Sequence, residues 1–377
     1  MSEDTFQPPN KPRSARYELL DPLRGIAILA VMLLHFFGGN DSGDSVVFDN
    51  IWPLVQHGYL GVQLFFVISG YCITAALYGA MNKKTPLRYF VIRRLRRIFP
   101  PFWISMMLVV VLGLITITVL KTPKEVVFPL TKFDWLCNFF LIQGPLHAVD
   151  ANLVYWSLSI ELQFYLVMAI ALFCSRQTEA WLVLVSVLFL AIGHLTTWKL
   201  WGTVIVYWSE FLCGIAAYFW LTRRMKWEWT PTLLVGLVLL DALLQARQYE
   251  VLMQPDGRLI KPLKLVFCLG CMSLMLGLRR FDEVICRWKP MRLLSWFGLI
   301  SYSLYLTHVP VGTRIFNLSR RMIGLDGMKW MLPAAASVII CTIFGWLFFR
   351  LFEKPWLNSS AQQNQAAAPA VQEGIVT

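Results

Sequence analysis

Apolar stretches of about twenty residues recur along this chain, and each is long enough to cross the roughly 30 Å hydrocarbon core of a bilayer as a helix. Ten such stretches lie near 22–38, 59–80, 98–120, 152–174, 180–197, 203–221, 231–246, 260–278, 292–312 and 330–352. Composition agrees: 57% of residues are hydrophobic and 15% charged, against roughly 25% charged for an ordinary soluble domain. Mean hydropathy is +0.58. The expected fold class is all-α, a polytopic membrane helix bundle of about ten transmembrane helices. Two further apolar stretches, near 48–56 and 133–148, are too interrupted to span and read as re-entrant or interfacial.

Basic residues favour cytoplasmic loops. With the N-terminus inside, 22 of the 34 Lys and Arg fall on the inner side, and the first outer loop, 37–58, has none. The bias places both termini in the cytoplasm. Residues 1–17 form a polar, Pro-rich N-terminal segment with no cleavable signal, 18–356 the membrane domain, and 357–377 a polar tail with too little to bury to fold. The net charge of +12 is thereby explained by topology, and nucleic acid is not an expected partner. The eight cysteines form no disulfide framework; Cys268 and Cys271 stand one helical turn apart, as packing residues do. No phosphate-binding glycine loop, EF-hand pattern or HExxH occurs, so neither an ATP-driven pump nor a metal site is expected.

Ionisable side chains inside spans are costly and mark cavities or partners. The first span, "DPLRGIAILAVMLLHFF", carries Arg24 at its inner end and His35 in its last outer turn. Eleven residues are close to three turns, so both project from nearly one face, roughly 16 Å apart along the axis. One cavity seen by both is the expectation. Glu161 falls roughly 13 Å below the outer surface by the same helix rise, His308 near the outer end of the ninth span, and Ser69 within the second. Each has a plainer reading as well: a histidine that bonds a neighbouring helix, a carboxylate paired for packing, and, at Ser69–Gly70, a close helix contact. Glu210 and Asp241 suggest only helix packing.

At the inner face, "PLRYFVIRRLRRIFPPFW" gathers Arg88, Arg93, Arg94, Arg96 and Arg97 within ten residues, and Pro100–Pro101 suit the first turn of the third span. Guanidinium forks match phosphate oxygens. A topogenic cluster on anionic lipid headgroups is the competing reading.

Together these stretches resemble the acyltransferase-3 family of membrane proteins, which acylate carbohydrates and some other acceptors. The signatures are Arg24 with ten residues before His35, "FFVISG" at 65–70, "RLRRIFP" at 94–100, "WSLSIE" at 156–161, "SYSLYLTH" at 301–308 and "FEKPW" at 352–356. They occur in the family's order over residues 18–356. Only a short polar tail follows, so the resemblance does not extend to the fused esterase-like domain that some members carry.

The resemblance implies an O-acyltransferase of the bacterial inner membrane, with acyl-CoA, usually acetyl-CoA, as a cytoplasmic donor substrate and no permanently bound cofactor. The acceptor would be a hydroxyl of a cell-surface polysaccharide or its lipid-linked precursor, with membrane lipids as the other partner. His35 matches the family's essential histidine, Arg24 its partner, Arg94 and Arg97 the RxxR pair associated with the donor, Glu161 the acid of the WSLxxE pattern, and Ser69 the FFxxSG motif; His308 is carried over with them. His35 could act as general base or take the acyl group itself, with Glu161 supporting the imidazole. A proton-coupled transporter using His35 and Glu161 as a relay is the rival reading, but no repeat symmetry relates the halves and the Arg cluster is then left without a ligand. Basic residues of the outer loops (Arg314, Arg320, Arg321 and Lys329) would meet an acidic acceptor or simply be solvated.

Overall fold

The computed structural model describes residues 17–37, 55–128, 130–174, 177–195, 200–247, 261–323 and 331–357. The expected N-terminal segment up to residue 16, the stretch 48–54 and the tail beyond 357 lie outside them. Among the described residues the structure is helical: α1 (Leu20–Phe37), α2 (Leu60–Met81), α3 (Pro86–Leu120), α4 (Lys132–Phe139), α5 (Tyr155–Phe173), α6 (Thr178–Leu195), α7 (Trp208–Thr222), α8 (Thr230–Ala246), α9 (Lys261–Leu278), α10 (Lys289–Leu299), α11 (Ser301–Thr307), α12 (Arg314–Ile323) and α13 (Met331–Phe348).

Seven helices among the described residues are long and apolar enough to cross a membrane: Gln56–Met81, Pro86–Val119, Tyr155–Phe173, Thr178–Leu195, Val204–Thr222, Pro262–Cys286 and Leu332–Leu357. The three other expected spans correspond to α1, to the shorter α8, and to the run from α10 to Thr313, which is not one continuous α-helix. That run passes from α10 to α11 and then into a π-helical turn over His308–Thr313. Pro310 sits inside this turn and has no N–H to donate to a carbonyl one turn back.

The third span differs from expectation in where it begins. α3 runs for 35 residues from Pro86, with Pro100 and Pro101 in its interior. Pro86 is the proline of the first turn, following Thr85 at the N-cap. The helix continues through the internal pair because tertiary contacts hold it on both sides. Buried Phe102 packs its ring 4.8 Å from that of Tyr155, and Tyr302 donates to the carbonyl of Ile98 at 2.8 Å.

At the centre, α2 lies directly on α7. A Cβ on Gly70 would fall 2.2 Å from the Phe211 carbonyl oxygen, and one on Gly214 1.9 Å from that of Val67. Small residues permit this approach, as is usual between helices that gain no hydrophobic driving force in lipid. Around the contact Phe66, Phe164 and Phe211 stack, with centroids 4.7 Å and 4.1 Å apart. α1 packs across α10, and the cavity described next opens between α1, α2, α3, α5 and α11.

Candidate active site

Arg94 and Arg97 are one turn apart on α3 and share the face that carries buried Phe90 and Ile98. Arg88, Arg93 and Arg96 point to the exposed side of the same helix. The basic cluster therefore divides in two, and only this pair turns inward. Their guanidinium groups line a cavity of about 770 Å³, its open mouth included, together with Arg24, Ser69 and Glu161. Five of the seven residues singled out from the sequence thus surround one space.

The charges in this space are unevenly matched. Arg24 pairs with Asp21 at 3.0 Å and reaches the Cys72 sulfur at 3.0 Å. Arg94 lies over the rings of Phe90 and Tyr165, 5.8 Å from each centroid. Arg97 is within electrostatic reach of Glu161 and Glu353. Among the described residues neither Arg94 nor Arg97 forms an ion pair with a carboxylate, so both keep their capacity for an anion. Glu161 is occupied otherwise: one of its oxygens accepts from the Ser69 hydroxyl at 3.1 Å and from the Tyr165 hydroxyl at 2.5 Å. Tyr165 is one turn from Glu161, which is why the two meet.

His35 and His308 stand apart from this group. His308 is fully buried, and its ring centroid lies 5.1 Å from that of His35. His308 Nδ1 is 3.0 Å from the Leu304 carbonyl and 2.9 Å from that of Tyr305. Both partners are acceptors, so Nδ1 carries the hydrogen, and the neutral ring keeps its lone pair on Nε2. His308 Nε2 and His35 Nδ1 are buried and have no hydrogen-bond partner among the described residues. The expectation of one cavity seen by both Arg24 and His35 is met only at the Arg24 end, because His35 is not part of the cavity lining. No hydrogen bond joins Glu161 to either histidine among the described residues; Glu161 bonds Ser69 and Tyr165 instead.

Tyr305 connects the two groups. Its ring lines the cavity and lies 5.7 Å from that of His308, and its hydroxyl shares a hydrogen bond with Ser157 Oγ at 2.5 Å. The carbonyl of Leu306, four residues before Pro310, accepts from Ser105 Oγ at 3.2 Å, and Ser105 also bonds the Tyr155 hydroxyl at 2.7 Å. A side chain on α3 thus supplies the donor that the proline lacks, two residues before His308. Sequence reasoning passed over Tyr165, Tyr305 and Ser105. Tyr165 stands at i+4 from Glu161 and was findable by helical spacing; Ser105 carries no local signal.

The arrangement places the cationic side chains of Arg24, Arg94 and Arg97 at one end and the paired imidazoles of His35 and His308 at the other, with the Tyr305 ring between. Among the described residues no cluster of side chains suited to a metal ion occurs. The sequence profile described as an acyltransferase domain matches residues 17–350. The chain belongs to the acyltransferase-3 family. It is 25% identical to the peptidoglycan O-acetyltransferase OatA of Listeria monocytogenes over 381 residues, covering 89% of this chain and 55% of the relative. It is 27% identical over 374 residues to a Bacillus subtilis protein provisionally named a peptidoglycan O-acetyltransferase, covering 89% of this chain and 54% of that one. The chain thus spans about half the length of these curated relatives. No solved structure matches it.

Proposed function

We propose that this protein transfers an acyl group, most simply acetyl, from cytoplasmic acyl-CoA to a hydroxyl of a cell-surface polysaccharide or its lipid-linked precursor. The observation that carries the reading is the separation of two guanidinium groups that form no carboxylate ion pair among the described residues, Arg94 and Arg97, from two buried histidine nitrogens, His35 Nδ1 and His308 Nε2, that have no hydrogen-bond partner among them, with the Tyr305 ring between. The phosphates of the donor's nucleotide lie among Arg24, Arg94 and Arg97, where charge-assisted bonds are strongest. The pantetheine arm runs outward past Ser69 and Tyr305, and the thioester reaches the histidines. The relatives named as peptidoglycan O-acetyltransferases support a sugar hydroxyl as the acceptor.

In this reading a neutral imidazole of the His35–His308 pair takes the proton of the acceptor hydroxyl as its oxygen attacks the thioester carbon. The C–S bond breaks, the acyl group leaves as an ester on the acceptor, and the proton passes from the imidazole to the departing CoA thiolate. Glu161 holds Ser69 and Tyr165 in place on the cavity wall. The excess of basic residues on the N-terminal side of the spans supports a cytoplasmic entrance at Arg94 and Arg97.

Purified protein in nanodiscs, supplied with acetyl-CoA and peptidoglycan fragments, should release free CoA thiol and form an O-acetyl ester. His35→Ala, checked for folding by thermal unfolding, should release none. Equal release from the folded variant would remove His35 from the chemistry, and no release from the wild type with any polysaccharide acceptor would overturn the donor assignment.

A further inference from the structure

In the proposed path the donor's charges lie at the arginine end, and its thioester end carries none. A cation beside the histidines therefore needs another anion, and Arg314 is such a cation. The π-helical turn that carries His308 ends at Thr313, and Arg314 follows it directly as the first residue of α12. Helix rise places its Cα no more than about 9 Å beyond that of His308 along the axis. The same turn meets the end of α1: a Cβ on Gly312 would fall 2.2 Å from the ring of Phe36, the residue after His35. Arg314 thus stands two residues past the point where the two histidine-bearing elements touch.

Arg314 is not a freely solvated loop charge. It is half-buried, and its Nη1 donates at 2.7 Å to the carbonyl of Pro310, two residues from His308. One residue earlier the Thr313 hydroxyl makes the equivalent bond to the Val309 carbonyl at 2.5 Å. The guanidinium is thereby tied to the turn that carries the histidine. Its planar fork has five N–H donors, and the Pro310 carbonyl occupies one nitrogen. Among the described residues Arg314 forms no ion pair with a carboxylate. Partial burial of a charge favours a partner of opposite sign, and the remaining donors are free to meet one.

We propose that Arg314 binds an anionic group of the acceptor, a carboxylate or a phosphate carried close to the hydroxyl that is acylated, which rests on the acyl-transfer reading of the site. Both anions offer the paired oxygens that a guanidinium fork matches. The donor cannot supply the anion in that reading: its phosphates lie with Arg24, Arg94 and Arg97, and Arg24 is about 16 Å from His35 along α1. Arg314 is then a specificity-determining residue. It selects charged acceptors and holds one hydroxyl in front of the imidazoles, and it takes no part in making or breaking bonds.

The test reads a ratio, so that any loss of folded protein cancels. The full chain in phosphatidylcholine nanodiscs receives acetyl-CoA and one of three acceptors: peptidoglycan fragments with free carboxylates, the same fragments amidated, or a polyprenyl-diphosphate-linked sugar. Release of CoA thiol gives kcat/KM for each. In the wild type a charged acceptor should exceed the amidated fragments about tenfold, the worth of one charge-assisted contact. In Arg314→Gln that ratio should fall to near one, and in Arg314→Lys it should lie between. A fall with the free-carboxylate fragments assigns the anion to a carboxylate of the polymer, and a fall confined to the diphosphate-linked sugar assigns it to phosphate. The same ratios in wild type and Arg314→Gln would overturn the proposal, whatever the absolute rates. So would a change that appears only when phosphatidylglycerol is added to the nanodisc, since Arg314 would then hold a lipid headgroup. No release from the wild type with any acceptor would instead remove the acyl-transfer reading itself, and the proposal with it.

Discussion

The imidazoles of His35 and His308 face one another at 5.1 Å between centroids, 32° from parallel, although 273 positions separate them in the chain. His308 is held by two carbonyls of its own helix, so its tautomer is set by backbone. In the proposed mechanism the two adjacent imidazoles act on one proton as a unit. His35→Ala and His308→Ala are each expected to lower kcat by about 10²–10⁴, and the double variant should be little worse than either. Single-turnover CoA release on folded protein measures this; additive losses would separate the two roles.

Among the described residues neither Arg94 nor Arg97 forms an ion pair with a carboxylate, although Arg97 is within electrostatic reach of Glu161 and Glu353. Arg94→Ala or Arg97→Ala should raise KM for acyl-CoA about tenfold, the equivalent of one charge-assisted hydrogen bond. Arg94→Lys should fall between, because it keeps the charge and loses the fork. Isothermal titration with desulfo-CoA reads the effect without turnover.

Glu161 is the shared acceptor of Ser69 and Tyr165. Glu161→Ala leaves both hydroxyls without it and should cost about 1–3 kcal/mol of stability. Glu161→Gln retains an acceptor oxygen and should cost less. Thermal unfolding in one detergent, with the two variants side by side, checks the order.

The α2–α7 contact tolerates no side chain at Gly214. Gly214→Ala should destabilise by at least about 1–3 kcal/mol, the usual cost of overpacking. Here the obstacle is the Val67 backbone rather than a flexible side chain. A variant with unchanged thermal stability would mean that the helices can separate freely.

Asp134 lies outside the spanning helices, and the Thr131 hydroxyl, the Thr131 N–H and the Val149 N–H hold its carboxyl below the usual range. A lowered carboxyl value contributes stability that is complete above the unfolded value and is lost as pH falls through the folded one. Amide-exchange protection at Val149 and Ala151 should therefore be intact at neutral pH and decline only in acid. In Asp134→Asn that pH dependence should disappear.

Much of the bundle was legible because helices in lipid must be long and apolar; Arg24, Ser69 and Glu161 stood out as polar residues within such stretches, and Arg94 and Arg97 as part of the basic cluster preceding one. Depth from helix rise set Glu161 in the outer half of the membrane, at the level of the histidines, whereas the structure places it on the cavity wall with Arg24, Arg94 and Arg97. Lateral neighbours do not follow from depth. Hence the link between Tyr305 and His308, the Ser105 donor to the Leu306 carbonyl and the Glu161–Tyr165 bond came only with the packing. The start of α3 was misplaced for a related reason: Pro100–Pro101 imitates a first turn, and only tertiary contact carries the helix through it.

α1 bears Arg24 at one end and His35 at the other, joined by uninterrupted helix. Their spacing is set by covalent geometry, so the stretch between them works as a fixed gauge for whatever stretches from one to the other. Swapping one lipid-facing aliphatic for another along it, as at Ile26 or Leu33, should matter little. Inserting a single residue would turn His35 by about 100° relative to Arg24 and carry it away from His308, so this helix should tolerate changes of side chain far better than changes of length.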